Sequence, residues 1–316
     1  MKEKILVTGA GGCIGAWTLW QLYDAGIQPI AFDLSPNQSR LRLLRDQPAD
    51  ADNIPWECGD ISDFACVQKV IAKHQPAAII HLAALQVPFC KADPTAGAQV
   101  NVVGTVNVFE AAKQAGIKRL AYASSVAADA MEADTPWLET LYGAYKVCNE
   151  QTARVYWQDA ALPSIGIRPS IVYGGARDQG ISAAPTMAML AACANLPYTI
   201  PFRGKVGFVY AAEVAAAFIQ AVAQPHAGAA VFNLNGNCQT VESVLQQIQQ
   251  QHPQAQVNCS GSALPFPAEI SDAPLQAYIG NYRQYSFANG LAETLNLFNR
   301  RLQEQRLDAS AMLEHA

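Results

Sequence analysis

Thr8-Gly9-Ala10-Gly11-Gly12-Cys13-Ile14-Gly15 is the stretch on which the fold turns. The residues before it, Lys4-Ile5-Leu6-Val7, read as a short buried strand, and residues 14–25 read as a helix. Between them Gly9, Gly12 and Gly15 recur every third position. The first glycine permits a tight turn. The second lets the backbone approach a pyrophosphate, and the third lets helix and strand pack closely. The turn leaves free N–H groups around Cys13 and Ile14, at the positive end of the helix dipole, which suits a phosphate. A glycine turn used only for packing would share this spacing. The strand before it and the helix after it favour a dinucleotide site.

Working outward, strand and helix patterns alternate. Strands are expected at 29–32, 54–58, 77–82, 120–123 and 164–168, and helices at 64–74, 96–115 and 144–160, with Gly116 ending the second of these. Such alternation specifies an α/β fold: a doubly wound Rossmann parallel sheet with helices on both faces. Asp33 ends the second strand. A carboxylate there accepts hydrogen bonds from the adenosine ribose hydroxyls and repels a 2′-phosphate. The residues that follow, Leu34-Ser35-Pro36-Asn37, contain no arginine, so the expected cofactor is NAD and not NADP. Asp33 as a plain turn residue is the competing reading.

Past residue 170 the pattern loosens as Pro and Gly become frequent. A helix at 212–223 and a strand at 230–234 still look like core elements. Residues 246–256 read as the solvated face of a helix that Pro253 ends, and 260–285 as loop-rich. Residues 288–307 form an amphipathic helix pattern with Leu291, Leu295, Phe298 and Leu302 on one stripe. The expected organisation is an NAD-binding core at 1–170, to which 208–235 return. A smaller C-terminal substrate-binding part covers 171–207 and 236–316. There is no internal repeat.

Composition narrows the function. The 316 residues are 51% hydrophobic and 15% charged, enough for a large core. With a formal net charge of −5 and no basic run longer than Arg300-Arg301, nucleic-acid binding is not expected. No apolar stretch is long enough to span a membrane. The start leads directly into a strand pattern and does not read as a signal peptide. The eight cysteines include no Cys-x-x-Cys pair and read as buried, reduced thiols of a cytoplasmic protein. The five histidines lack ligand spacing, so no metal site is expected.

Tyr142-Gly143-Ala144-Tyr145-Lys146 carries the chemistry. Tyr142 and Lys146 lie four apart, on one face of a helix. A phenol ionises near pH 10, too high for a base at neutral pH. A neighbouring ammonium and a cationic nicotinamide both favour the phenolate. Tyr142 can then take a hydroxyl proton as hydride leaves the carbinol carbon. Ser124 and Ser125 follow the fifth strand, at the carboxyl end where ligands bind in such sheets. A serine there can hold the substrate oxygen, or simply cap a turn.

Taken together these motifs resemble an extended short-chain dehydrogenase/reductase of the NAD-dependent epimerase/dehydratase family, along almost the whole chain. The resemblance rests on residues 8–15, Gly59-Asp60-Ile61, His81-Leu82-Ala83-Ala84, Asn101-Val102-Val103-Gly104-Thr105, residues 122–125, residues 142–146 with Glu150, and Arg168-Pro169-Ser170-Ile171-Val172-Tyr173-Gly174. It implies that Asp60 and Ile61 flank the adenine and that Leu82, Ala83 and Ala84 line the cofactor. Asn101 would support the site from its helix, and Ser125 would be the catalytic serine. Pro169 to Val172 would border the nicotinamide. A homodimer through the helices near Asn101 and Tyr142 is implied as well. Three departures are informative. Ile171 stands where sugar-nucleotide epimerases often carry asparagine. Val206-Gly207-Phe208-Val209-Tyr210 lacks the arginine that often precedes this stretch. Residues 126–141 are short and lack the usual Val-Tyr-Gly.

The leading expectation is an NAD-dependent oxidoreductase acting on a small polar hydroxy or keto compound such as a sugar or sugar acid. Gln86, Ser125, Arg177 and Arg203 are the candidate substrate residues. A sugar-nucleotide epimerase with transient oxidation, or a regulatory protein that kept the fold and lost the chemistry, are the alternatives.

Overall fold

The computed structural model describes residues 2–131 and 139–314. Among the described residues twelve strands form three sheets: β1 (Lys4–Thr8), β2 (Gln28–Asp33), β3 (Trp56–Cys58), β4 (Ala78–His81), β5 (Leu120–Ala123), β6 (Ser164–Pro169), β7 (Ile171–Tyr173), β8 (Tyr198–Ile200), β9 (Lys205–Tyr210), β10 (Ala229–Leu234), β11 (Asn237–Thr240) and β12 (Val257–Cys259). Seven of them make one parallel sheet in the order β10-β6-β5-β4-β1-β2-β3. The order reverses beside β1, whose Thr8 pairs with Phe32 on one side and His81 on the other. That switch point opens a crevice at the carboxyl ends of the strands.

Period-2 alternation sends successive strand residues to opposite faces. Ile5, Val7, Ala31, Ile80, Ile165 and Ile167 pack on one face against Leu19, Val214 and Phe218. Leu6, Ile30, Phe32, Ile79 and Tyr122 pack on the other against Val67, Val70, Val108 and Phe109. Both faces are covered, as a parallel sheet requires.

The helix expected at 14–25 runs Cys13–Asp24, and the ones expected at 64–74 and 144–160 run Phe64–His74 and Leu141–Ala160. The helix expected unbroken at 96–115 is interrupted. Pro94–Ala98 leads into a wider turn, Gln99–Val103, with i→i+5 character, before Gly104–Ala115 resumes and Gly116 closes it at φ +69°.

Past residue 170 there is more regular structure than the Pro and Gly content suggests. Pro185 sits in the first turn of helix Ala184–Ala194, where a missing N–H costs nothing. β7, β9 and β11 form a second sheet, and β8 and β12 a third. Of residues 246–256, those up to Gln251 belong to helix Val241–Gln251, and the C-terminal stripe belongs to helix Phe287–Gln303, with Leu291, Leu295 and Phe298 buried. These elements share a core around Tyr173, Met187 and Phe208. Arg301 is fully buried and joins the two regions: its Nε donates to the Leu43 carbonyl at 2.7 Å and its Nη2 pairs with Asp46 at 2.9 Å.

The cysteines are less buried than expected. All eight are free thiols, but Cys58 and Cys148 are exposed and only Cys90 is fully buried. Cys58 ends an edge strand and Cys148 lies on the outer side of its helix, so neither faces the core. Among the described residues no helix is long and apolar enough to cross a membrane.

Candidate active site

The glycine turn is built as its spacing demands. Gly9 has φ +66°, and a Cβ there would lie 2.6 Å from the Ala83 nitrogen. A Cβ on Gly15 would lie 2.3 Å from the Gly9 carbonyl, so only glycine lets the helix sit this close to β1. Gly12 starts helix Cys13–Asp24 with no side-chain cap, which leaves the first N–H groups, at Cys13 and Ile14, available to an anion. A Cβ on Gly12 would meet only the Gly9 carbonyl, at 3.2 Å, so the turn is an open cradle. These residues fit a pyrophosphate.

Asp33 stands at the end of β2. Its Oδ2 accepts from Gly11 N at 2.9 Å and its Oδ1 from Leu34 N at 2.8 Å, which holds the carboxylate beside the turn. Each oxygen keeps a lone pair for a ribose hydroxyl. Arg40 also reaches the turn, donating from Nη1 to the Gly11 carbonyl at 2.9 Å, but its Nε is taken by Asp178 at 2.8 Å. Sequence reading missed this contact because the partners lie 138 residues apart.

Asp60 is exposed and turns the chain by accepting from Ser62 N at 2.8 Å. Ile61 is buried beneath Gly104, whose Cβ would come within 2.8 Å of it. Leu82, Ala83 and Ala84 follow β4. Thr8 Oγ1 accepts from Leu82 N and Ala83 N at 3.2 and 3.3 Å. Behind them lies a polar chain that the sequence did not reveal. Thr105 Oγ1 donates to the Asn101 carbonyl at 2.7 Å, so it can only accept from His81 Nε2, at 3.1 Å. His81 Nδ1 therefore accepts from Thr8 Oγ1 at 2.7 Å. Burial pushes His81 down to about 3, so it stays neutral. Asn101 occupies the wider turn and clamps Leu85, accepting from its N at 2.8 Å and donating to its O at 3.0 Å.

Helix Leu141–Ala160 begins at Thr140, whose hydroxyl accepts from Gly143 N at 3.0 Å. A Cβ on Gly143 would lie 2.5 Å from the Ala127 carbonyl, so glycine lets Tyr142 approach the end of β5. Lys146 Nζ lies 5.3 Å from the centre of the Tyr142 ring and donates to the Ala123 carbonyl at 2.7 Å. The two serines separate as neighbours in extended chain do. Ser124 is buried and hydrogen-bonds Glu150, which also accepts from Arg168 Nε at 2.8 Å. Ser125 instead faces the Tyr142 phenol and lowers its proton affinity, while its Oγ accepts from Ala127 N at 3.2 Å. Ser125, Tyr142 and Lys146 thus come together. Positions 132–138 of the short segment after the serines lie outside the described residues.

Burial pushes Tyr142 up to about 12 and Lys146 down to about 8. Burial thus disfavours the charged form of both groups, so a Tyr142 phenolate needs added positive charge beside it, as a cationic nicotinamide would bring. The cation whose field does lower Tyr142 is Arg177. Arg177 follows β7, as does Gly180, whose Cβ would stand 2.4 Å from Gln86 Oε1. Gln86 and Arg177 are brought to the same crevice from opposite halves of the chain. Arg203 is not among them: its side chain is 55% exposed and engages the Cys259 carbonyl and, at 4.0 Å, Glu242. Pro169 ends β6, and Val172 and Ile171 are buried in β7. Ile171 pairs with Phe208 of β9, so Ile171 and Val206 contribute buried apolar side chains to neighbouring strands.

A family model described as NAD dependent epimerase/dehydratase matches residues 5–235. UDP-glucose 4-epimerase of Rhizobium leguminosarum bv. trifolii is 36% identical over 174 residues, 52% of this chain and 51% of the relative. The UDP-glucose 4-epimerase of Erwinia amylovora is 31% identical over 162 residues, 48% of each chain. The chain thus spans about half the length of the curated relatives it matches. Among solved structures, the Thermus thermophilus UDP-glucose 4-epimerase in complex with NAD superposes with a TM-score of 0.77 at 23% identity, covering 93% of this chain and 98% of that one. A partial-consensus L-threonine 3-dehydrogenase gives 0.81 at 22% identity, covering 94% and 99%. At these identities the likeness carries the fold.

Proposed function

Because the chain belongs to the NAD dependent epimerase/dehydratase family of extended short-chain dehydrogenases, whose cofactor is NAD, we propose that it is a dehydrogenase/reductase of a small polar hydroxy or keto compound. Ser125, Tyr142 and Lys146, brought together at the end of β5, are the observation that carries this reading. Bound NAD supplies the hydride acceptor or donor. Tyr142 gives its proton to the carbonyl oxygen in reduction and takes the hydroxyl proton in oxidation. Its high proton affinity suits the first role directly, and the second needs positive charge beside it. Ser125 hydrogen-bonds the same substrate oxygen. Lys146, tied to the Ala123 carbonyl, holds the tyrosine face and can reach the nicotinamide ribose. Gly9, Gly12, Cys13, Ile14, Gly15 and Asp33 hold the dinucleotide, with Asp60, Ile61, Leu82, Ala83, Ala84, Asn101, Pro169 and Val172 completing its surroundings.

The relatives named above favour a second reading, sugar-nucleotide epimerisation, which uses the same three residues. It also needs donors for a diphosphate. The buried apolar Ile171 and Val206 supply none, and this supports the smaller substrate. The same reading keeps the division into an NAD-binding core, 1–170 with 208–235, and a substrate-binding part, 171–207 with 236–316, although β9 pairs with β7 and β11 in the second sheet. It also pairs two copies through the helices that expose Val103, Val155 and Trp157. Eight free thiols suit the reducing cytoplasm. The test is a panel of sugars, sugar acids and UDP-sugars with NAD⁺, read at the NADH absorbance. NADH formation from a free sugar or sugar acid supports the proposal. No NADH from any member, with epimerised UDP-sugar product, would reject it.

A further inference from the structure

The chain that follows β7 is pinned across the glycine turn. The Gly175 carbonyl accepts from Trp17 Nε1 at 3.0 Å, and Asp178 takes Arg40 Nε at 2.8 and 3.0 Å while Arg40 Nη1 holds the Gly11 carbonyl at 2.9 Å. Between these pins lies Arg177. Its Nη2 donates to Ser182 Oγ at 2.6 Å, and its Nε is buried with no partner. Among the described residues it forms no ion pair, since the neighbouring Asp178 is engaged by Arg40. Burial works against its charge, and Cys13, Tyr142, Asp178 and Arg40 are the charged or ionisable groups within reach of its field.

A half-buried guanidinium with an unpaired N–H is costly unless an anion completes it. Cys13 of the turn and Tyr142 are both near its charge, so the crevice between them is the place for such an anion. One planar guanidinium with a free Nε–H matches a single planar monoanion such as a carboxylate. Gln86, facing Gly180 across the crevice, adds a neutral polar contact.

We propose that Arg177 receives the carboxylate of the substrate, so that the compound oxidised at Tyr142 is a hydroxy acid, of which sugar acids are the nearest class. This rests on the dehydrogenase reading above. The step balances: the carbinol C–H bond breaks with its electron pair leaving as hydride to NAD⁺, the O–H proton goes to Tyr142 in its phenolate form, which the positive charges of NAD⁺ and Arg177 favour, and the carbonyl acid and NADH result.

The test reads binding without turnover, so it stays legible if no NADH forms. NAD-loaded protein is titrated calorimetrically with galacturonate, gluconate and glycerate, each against its neutral match: galactose, glucitol and glycerol. Wild type should bind at least one acid tenfold or more tightly than its match. Arg177→Gln should abolish that preference while keeping NADH affinity within threefold, and Arg177→Lys should restore part of it. The lysine variant and a thermal melt separate loss of fold from loss of the cation. The proposal is overturned if no acid is preferred by wild type, or if Arg177→Gln keeps the preference. It is equally overturned if Arg177→Gln weakens NADH tenfold and leaves the acid preference intact, since the anion met there would then be the pyrophosphate.

Discussion

At the scale of single residues, the site was legible where chemistry depends on short spacing. The three glycines and the Tyr142/Lys146 pair are set by neighbours within a turn or two, and Asp33 by its place at the end of the second strand. The choice between Ser124 and Ser125 is fixed by Glu150 and Arg168, which only the fold brings alongside. Two predictions belong here. Tyr142→Phe removes the proton donor and leaves the ring, so turnover should fall about 10²–10⁴-fold with NAD affinity and fold retained. Steady-state rates and a cofactor titration check this, and a variant keeping more than a tenth of the rate contradicts the mechanism. Asp33→Ala should narrow the preference for NAD⁺ over NADP⁺ by about tenfold, roughly 1.4 kcal/mol, as measured by calorimetry with both cofactors. Arg40 does not offset Asp33, because Asp178 already neutralises it.

Among the elements, long periodic helices and the central strands could be read, and the short pieces after residue 170 could not. β7 and β8 have three residues each, too few to show a period, and their partners lie far along the chain. The interrupted helix around Asn101 was hidden for another reason: its sequence is a good helical pattern, and only the Asn101–Leu85 clamp shows why it widens. Helix Ala211–Ala221 carries the clearest pH response. Glu213 is buried in its first turn, accepts from Tyr285 N at 3.1 Å, and burial raises its carboxyl to about 7. The unfolded carboxyl releases its proton near 4.5. Between those values the folded state binds more protons, so stability falls as pH rises, by on the order of 3 kcal/mol in full. Glu213→Gln should flatten the melting-temperature slope between pH 5 and pH 8 and raise the value at pH 8. An unchanged slope would show that Glu213 is not the titrating group.

For the whole molecule, Arg301 is the tie between the dinucleotide half and the C-terminal helix, and neither its burial nor its partners follow from helical periodicity. Arg301→Met should leave the Leu43 carbonyl without its donor and cost about 2–4 kcal/mol in urea unfolding. A loss below about 0.5 kcal/mol would mean that the tie contributes little. The whole-molecule question is which substrate the crevice between those halves accepts. A nucleoside diphosphate brings about two negative charges into a partly closed site and needs donors to meet them. The buried Ile171 and Val206 provide none, and Arg203 faces Glu242 instead. The most direct measurement is calorimetric titration of the NAD-loaded protein with UDP-glucose, followed by analysis of the sugar products. The account predicts no micromolar binding and no UDP-galactose; micromolar binding with UDP-galactose formed would contradict it.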